Sequence, residues 1–312
     1  MGAFYTEYGE LLGRIFPGMK VQKISIDAGH GCPNRDGTLG HGGCIYCNNA
    51  AFSPSYCHTA GSVGAQIEAG RRFFARKYPH MRYLAYFQAY TSTHAPLDEL
   101  LKAYEEAMAQ EGVAGLVIGT RPDCMPPALL EYLAGVNATR MPVMVEYGVE
   151  SLHDLTLRLI NRGHDSECAL HTIKATAQAG LHTGAHMIMG LPGEDRDTML
   201  RSVRGVCEAG IDSIKFHQLQ VVRGTPLHSI WEAQQRGEPL PEKYTGFPPV
   251  STFSAEEYLE LCVELVRTVP RAVAIERFTA QCPPALLAAP SWGLKNYQFT
   301  HRLHALLSRT TA

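Results

Sequence analysis

From residue 21 onward the chain alternates short apolar runs with longer amphipathic ones, and this alternation limits its fold more than any other feature. Residues 21–28 predict a strand, 63–78 a helix, 82–90 a strand, and 96–110 a helix opened by Pro96 and early acids. Further strands are expected at 113–119, 142–149, 181–189 and 213–221. Helices are expected at 127–135, 153–160, 166–179, 195–209 and 226–235. Six strand–helix pairs in succession call for a parallel α/β sheet with right-handed crossovers. Such a sheet either curls into part of a barrel or lies open and doubly wound. Residues 237–252, rich in Gly and Pro, suit a linker or substrate loop. A helix at 255–266, a strand at 272–278 and a helix at 296–307 follow.

The length of 312 residues fits a barrel unit with an extension as well as it fits two domains. The expected division is an N-terminal segment at 1–20, a barrel at 21–236 and a C-terminal extension, assigned to substrate binding, at 237–312. A net charge of −2 argues against a wholly basic nucleic-acid wrapper, so any such contact must be local. The last part of the chain offers one: Arg267, Arg271, Arg277, Lys295, Arg302 and Arg309 face a single acid, Glu276. Either they touch phosphates or they form an ordinary solvated face. A second basic run, Arg71-Arg72-Phe73-Phe74-Ala75-Arg76-Lys77, is explained by the dipole of the helix it ends, and in a barrel it lies opposite the active face.

No apolar run approaches the roughly 18–20 residues of a membrane span, and the first residues lack a basic-then-apolar leader. Gly2 with Thr6 matches a loose myristoylation pattern, and Asn137-Ala138-Thr139 a glycosylation acceptor, and both are taken as chance. The nine cysteines are uneven and odd in number, unlike a disulfide framework, which points to a reducing cytoplasm. Cys124, Cys168, Cys207, Cys262 and Cys282 stand alone beside apolar segments and suit small buried hydrophobes.

Cys32, Cys44 and Cys47 differ. They share one Gly-rich loop after the first strand, spaced C-x11-C-x2-C. Three thiolates converging from one loop need a soft metal to neutralise them. A structural zinc would take a fourth ligand from His41, His30 or Cys57. An iron–sulfur cluster held by three cysteines would instead leave one iron open, at the barrel face where catalytic sites lie.

Several segments carry a family resemblance. The cysteine loop, with Tyr46 just before its last cysteine, resembles the radical S-adenosylmethionine (SAM) enzymes. Thr120-Arg121-Pro122-Asp123, Gly148-Val149-Glu150-Ser151, Asn161-Arg162-Gly163-His164, His186-Met187-Ile188-Met189-Gly190-Leu191-Pro192-Gly193 and Arg223-Gly224-Thr225-Pro226-Leu227 resemble the radical SAM domain of the elongator catalytic subunit, which acts on tRNA wobble uridine. Cys32-Pro33-Asn34-Arg35-Asp36-Gly37, Gly43-Cys44-Ile45-Tyr46-Cys47, Phe87-Gln88-Ala89-Tyr90-Thr91 and Trp292-Gly293-Leu294 are similar to the bacterial YhcC/YtqA family. The resemblance spans residues 5–300 and lacks both the acetyltransferase domain and the Gly-Gly-Glu usual on the second strand.

The resemblance implies a partial (β/α)6 TIM-type barrel with a C-terminal α/β extension. It implies a [4Fe-4S] cluster on Cys32, Cys44 and Cys47, and SAM cleaved to a hydrogen-abstracting 5′-deoxyadenosyl radical. Tyr46, Gln88, Tyr90, Arg121, Glu150, Arg162, His186 and Gly190 are the expected SAM contacts. The expected tRNA contacts are Arg267, Arg271, Arg277, Lys295 and Arg302. His182 and His186 share a strand face, where hydrogen-bonded histidines are expected over a metal pair. The resemblance implies modification of the tRNA wobble uridine, and the reaction expected of it converts 5-carboxymethylaminomethyluridine to 5-aminomethyluridine. A flavodoxin or ferredoxin would donate electrons, and a tRNA methyltransferase would act next. A small-metabolite substrate and a zinc-stabilised RNA-binding protein are the alternatives.

Overall fold

The computed structural model describes residues 4–49, 54, 56–57, 61–75 and 80–310. The N-terminal segment forms β1 (Thr6–Glu7) and α1 (Tyr8–Ile15). The six expected units follow as β2 (Val21–Ile26), α2 (Val63–Ala75), β3 (Arg82–Phe87), α3 (Leu97–Met108), β4 (Val113–Thr120), α4 (Pro127–Thr139), β5 (Val143–Glu150), α5 (Asp154–Leu159), α6 (Ser166–Gln178), β6 (His182–Met189), α7 (Arg196–Glu208) and β7 (Ser213–Gln218). A short β8 (Val221–Val222) and α8 (Pro226–Arg236) complete the sixth unit. The extension adds α9 (Ala255–Thr268), β9 (Ala274–Arg277), β10 (Leu287–Ala289) and α10 (Asn296–Thr310). Gly2, Arg76 and Lys77, and the end of the helix expected at 63–78, lie outside the described residues.

Eight parallel strands form one sheet in the order β2-β3-β4-β5-β6-β7-β9-β1. Each of the six units steps one place in the same direction. The order never reverses, which excludes the doubly wound alternative. The curl is measurable. Lys23 on β2 and Glu276 on β9 are six strand spacings apart, about 29 Å along a flat sheet, yet their Nζ and Oε2 lie 2.8 Å apart. The sheet is therefore a partial TIM-type barrel whose side chains meet across an interior.

Strand parity builds two layers. Ile24, Phe87, Ile118, Val145, Met187 and Phe216 point outward into the main core beneath the helices. Leu84, Tyr86, Val117, Met144 and Ala274 point inward and meet Leu11 and Phe16 of the N-terminal segment, which plug the barrel floor. The strand expected at 272–278 is the shorter β9, and it lies inside the sheet between β7 and β1. Helix α9 starts on a Ser254/Glu257 capping box, and α10 lays Phe299, Leu303 and Leu307 into the core.

A candidate active site at the barrel mouth

The loop after β2 folds back over the C-terminal ends of the strands. It is built tightly. The Pro33 carbonyl accepts from the backbone N–H of Leu39 at 2.8 Å, and the Gly43 N–H donates to the Asn34 carbonyl at 2.7 Å. Gly43 has φ +80°, a backbone that favours glycine, and a Cβ there would displace the Arg35 guanidinium from 2.9 Å. The chain after β5 clamps this loop. Ile45 N–H donates to the Ile160 carbonyl at 3.0 Å, Asn161 Nδ2 donates to the Gly43 carbonyl at 2.9 Å, and Asn34 Nδ2 donates to the Asn161 carbonyl.

Cys32, Cys44 and Cys47 line a cleft of about 230 Å³ at the mouth. Asn34 Nδ2 and Arg162 Nη1 point at Cys44 Sγ from 3.6 and 3.5 Å, and Arg35 Nη2 donates to the Cys47 carbonyl at 3.0 Å. Burial, then the neighbouring Cys44, push the Cys47 thiol up. Thiolates gathered here thus need a metal's positive charge to stay deprotonated. Among the described residues no trio of His, Cys, Asp or Glu gathers tightly enough to hold a single metal ion. Three thiols without a fourth protein ligand suit an iron–sulfur cluster with one open iron better than a closed structural zinc site. The zinc reading loses its fourth ligand as well. His30 is bonded to the Ser92 carbonyl at 2.9 Å and Cys57 to the Ser25 carbonyl at 3.3 Å, and neither they nor the exposed His41 lines the cleft.

The expected SAM contacts divide. Tyr46, Gln88, Tyr90, Arg121, Glu150, Arg162 and His186 all line the cleft. Arg121 is buried and grips Asp123 through Nε and Nη2 at 2.9 and 2.8 Å. Arg162 Nη2 donates to the Gly148 carbonyl and lies 3.6 Å from Glu150 Oε1. Burial pushes the Glu150 carboxyl up, against the pull of Arg162 and the Tyr46 hydroxyl. Gln88 accepts from Ser25 Oγ at 3.1 Å. Gly190 is placed elsewhere: it turns the chain at φ +90° beneath the Phe253 ring and does not line the cleft. His182 sits at the far end of β6, 3.9 Å from Asp212, and forms no pair with His186.

Backbone strain is concentrated here. Tyr90, Glu150 and Asn161 are the non-glycine residues with positive φ among the described residues. Two of them line the cleft and the third clamps its cysteine loop. Unsatisfied polar atoms are concentrated here too. Of six buried side-chain N and O atoms without a partner among the described residues, five belong to cleft-lining residues: Thr91 Oγ1, Arg121 Nη1, Arg162 Nε, Gln220 Oε1 and Arg277 Nε. Each such atom costs about 1–3 kcal/mol unless something bonds it. A polar ligand at this place, with an iron–sulfur cluster on the three sulfurs, fits what the residues leave open.

Below the mouth lies a charged interior that strand-by-strand reasoning did not find. Glu146 on β5 receives Lys23 Nζ at 2.5 Å, Lys215 Nζ at 3.0 Å and His186 Nε2 at 3.0 Å. Glu276 receives the same two lysines at 2.8 and 3.2 Å. Burial would raise the Glu146 carboxyl, but Lys215, Lys23 and His186 together hold it well below the usual range. Burial, then Lys215, push His186 down to about 4, so it is neutral at pH 7. The signal available in the sequence was a charged residue between apolar neighbours within a strand, clearest at Glu146 in Val143-Met144-Val145-Glu146-Tyr147 and weaker at Lys23 and Lys215, whose strands carry other polar residues.

The expected tRNA contacts also divide. Arg267, Arg271, Lys295 and Arg302 are exposed on the C-terminal part. Arg302 lies 3.6 Å from Glu256. Arg277 is not with them. It lines the cleft and donates from Nη2 to His217 Nε2 at 2.6 Å, because it ends a strand of the sheet. No helix among the described residues is long and apolar enough to cross a membrane.

Comparison with known proteins agrees with this geometry. The model of the radical SAM superfamily matches residues 28–205, and that of the radical SAM C-terminal domain matches 211–309. Protein YhcC of Escherichia coli (strain K12) is 38% identical over 275 residues, 88% of this chain and 83% of its own length. The uncharacterized protein YtqA of Bacillus subtilis (strain 168) is 33% identical over 281 residues, 90% of this chain and 83% of its own. A tRNA uridine(34) acetyltransferase of Methanocaldococcus infernus is 26% identical over 194 residues, 60% of this chain but 33% of its own length. The archaeal Methanocaldococcus infernus Elp3 structure shares the fold, with a TM-score of 0.64 at 17% identity over 94% of this chain and 64% of that one. The chain is therefore not a zinc-stabilised binding protein: it belongs to the radical SAM superfamily and to its YhcC/YtqA group, enzymes whose cofactors are a [4Fe-4S] cluster and SAM and which need a reductant.

Proposed function

We propose that the enzyme modifies the wobble uridine of tRNA, converting a 5-carboxymethylaminomethyl side chain to 5-aminomethyl. The observation that carries this reading is the likeness of the barrel to that of a tRNA uridine(34) enzyme. The match covers a third of that enzyme's own length, so acetyl transfer is not carried over.

When bound, the cluster and SAM supply one-electron cleavage of a sulfonium and thereby removal of a hydrogen atom from the substrate. The chain's own part is to hold and shield. Cys32, Cys44 and Cys47 would hold three irons. Arg162 and Arg121, each already oriented by a carboxylate, would present their unpartnered N–H groups to the carboxylate of SAM. Glu150, on the inward face of β5, would accept from ribose hydroxyls, and Tyr46 would lie by the adenine. The buried walls keep water from the reacting carbon. The balanced outcome consumes one SAM and one water per side chain. It releases methionine, 5′-deoxyadenosine, glyoxylate, the primary amine on the uridine, and a proton.

Arg267, Arg271, Lys295 and Arg302 would meet tRNA phosphates. A flavodoxin or ferredoxin is the proposed electron donor, and a tRNA methyltransferase would take the amine product. The test is anaerobic reconstitution, then SAM, dithionite and tRNA carrying the carboxymethylaminomethyl group, with nucleosides read by mass spectrometry. The aminomethyl nucleoside and an equal amount of glyoxylate are expected. If 5′-deoxyadenosine formation responds to a metabolite fraction and not to tRNA, the small-molecule reading replaces this one.

A further inference from the structure

We propose that Arg277, with His217 and Gln220, forms a subsite on the β7–β9 wall of the cleft that binds the carboxylate of the substrate. Four observations support it.

The first is a register shift. Ser213 pairs with Ala274 and Ile214 with Ile275, but Lys215 pairs with Arg277, so Glu276 is an extra residue on β9. Strict alternation would send Arg277 outward beside Ile275, which lies in the outer core. The bulge instead lets both Glu276 and Arg277 face inward, the re-aiming that bulges perform beside active sites.

The second is charge. Lys23 and Lys215 are balanced by Glu146 and Glu276. Arg121 is balanced by Asp123, and Arg162 faces Glu150. Arg277 forms no ion pair among the described residues, and the group it touches is the His217 ring. Burial, then Arg277 itself, push His217 well below its ordinary value, so that ring carries no charge that could repel an anion. A half-buried guanidinium with no counter-charge is costly, and an anionic ligand removes that cost.

The third is the pattern of open atoms. Arg277 Nε is a buried donor without an acceptor, and Gln220 Oε1 a buried acceptor without a donor. The fourth is that Gln220 is anchored to the backbone that follows Arg277. Gln218 and Gln220 donate through Nε2 to the Ala280 carbonyl at 3.2 and 3.1 Å, and Ala280 lies three residues beyond Arg277. One open donor and one open acceptor lining the same cleft suit a carboxylate joined through a single carbon to an ammonium group. The carboxymethylamino arm has that chemistry, and naming it as the ligand rests on the tRNA reading above.

The experiment uses reconstituted, SAM-loaded holoenzyme and two anticodon stem-loops. One carries 5-carboxymethylaminomethyluridine and the other 5-methylaminomethyluridine, which lacks the carboxylate. Binding is followed by fluorescence anisotropy, with SAM affinity measured in parallel to separate loss of the subsite from loss of the fold. The wild type is expected to prefer the acid at least tenfold. Arg277→Gln should bring the two within about twofold, and Arg277→Lys, which keeps the charge but not the planar fork, should fall between. Gln220→Leu should weaken both stem-loops alike, because both carry the ammonium. A wild type without preference, or an Arg277→Gln variant that keeps it, overturns the assignment. If Arg277→Gln does not fold, an undiminished preference in Arg277→Lys overturns it instead. If the wild type binds neither stem-loop, the tRNA reading fails, and N-methylglycine against N-methylglycinamide decides the subsite by ligand-observed NMR. Binding of the acid that is lost in Arg277→Gln sustains it, and equal binding of acid and amide overturns it.

Discussion

Replacing Glu146 by Gln tests whether the charged interior holds the barrel together. The side chain keeps its shape and loses its charge, so Lys23 and Lys215 are left facing Glu276 alone. Breaking a buried ion pair on one side costs about 3–5 kcal/mol. Burial already pushes the Lys215 ammonium down, so it can shed its proton and hold the cost near the lower end. Unfolding entropy near 2.1 cal/mol/K per residue gives about 0.66 kcal/mol/K for 312 residues. A loss of about 3 kcal/mol then lowers the melting midpoint by about 5 °C, read by thermal unfolding of the cluster-free protein at pH 7. The acid limb carries a sign. Glu146 has a folded pKa held well below 4.5, so its stabilisation is complete above that value and is lost as the pH falls through the depressed one. Glu146's own share of the gap between wild type and Glu146→Gln is therefore constant above about 4.5 and is lost below it, while any proton shed by Lys215 in the variant narrows the gap further as the pH rises. Adding Lys215→Met to Glu146→Gln restores one lysine to one glutamate and should recover part of the loss. A single variant within about 1 kcal/mol of wild type, or a double variant no better than the single, would refute the reasoning, since hydrated charges behave that way.

Alanine at Cys32, Cys44 or Cys47 should remove the absorption band near 400 nm and SAM cleavage together, while Cys57→Ala, whose sulfur bonds the Ser25 carbonyl, keeps both. Asn161 has φ 54° and clamps the cysteine loop. Asn161→Gly keeps the backbone and loses one hydrogen bond, whereas Asn161→Val adds left-handed strain of about 1–2 kcal/mol, so iron retained per chain should fall in the order wild type, Gly, Val. Deleting the basic tail is a poor test of tRNA contact, because Phe299, Leu303 and Leu307 are core residues. Changing Arg267, Lys295 and Arg302 together to Gln should instead reduce the salt slope of tRNA binding by about 2–3, and an unchanged slope removes these residues from the interface.

What could be read in advance, and what could not, follows from how each feature is written in the chain. Strand and helix order was legible because each unit carries its own period, and the cysteine loop because its spacing is local. The curled barrel followed from the family likeness, and in the structure it shows in the unreversed strand order and in Lys23 reaching Glu276. The site residues divide by whether alternation survives to the strand end. Glu146, His186 and Lys215 keep the inward parity of their strands, so an inward face could be drawn for them, but a face says nothing of which strands meet across the interior. Arg277 was grouped with the exposed tail because it shares that stretch's basic composition. One extra residue against Lys215 turns it into the cleft, and no propensity or period in the segment announces a single-residue bulge. Glu150 differs: a register shift follows Gly148 and its backbone is left-handed, yet it keeps the inward parity of Glu146 and Gly148. The slip against Lys215 is thus the one that aims a charged side chain at the cleft against the parity of its own strand. A search for site residues in relatives of this fold should look first at irregular pairings at the C-terminal ends of the strands, since a regular ladder offers side chains only at alternate positions and an irregular one can offer two in succession.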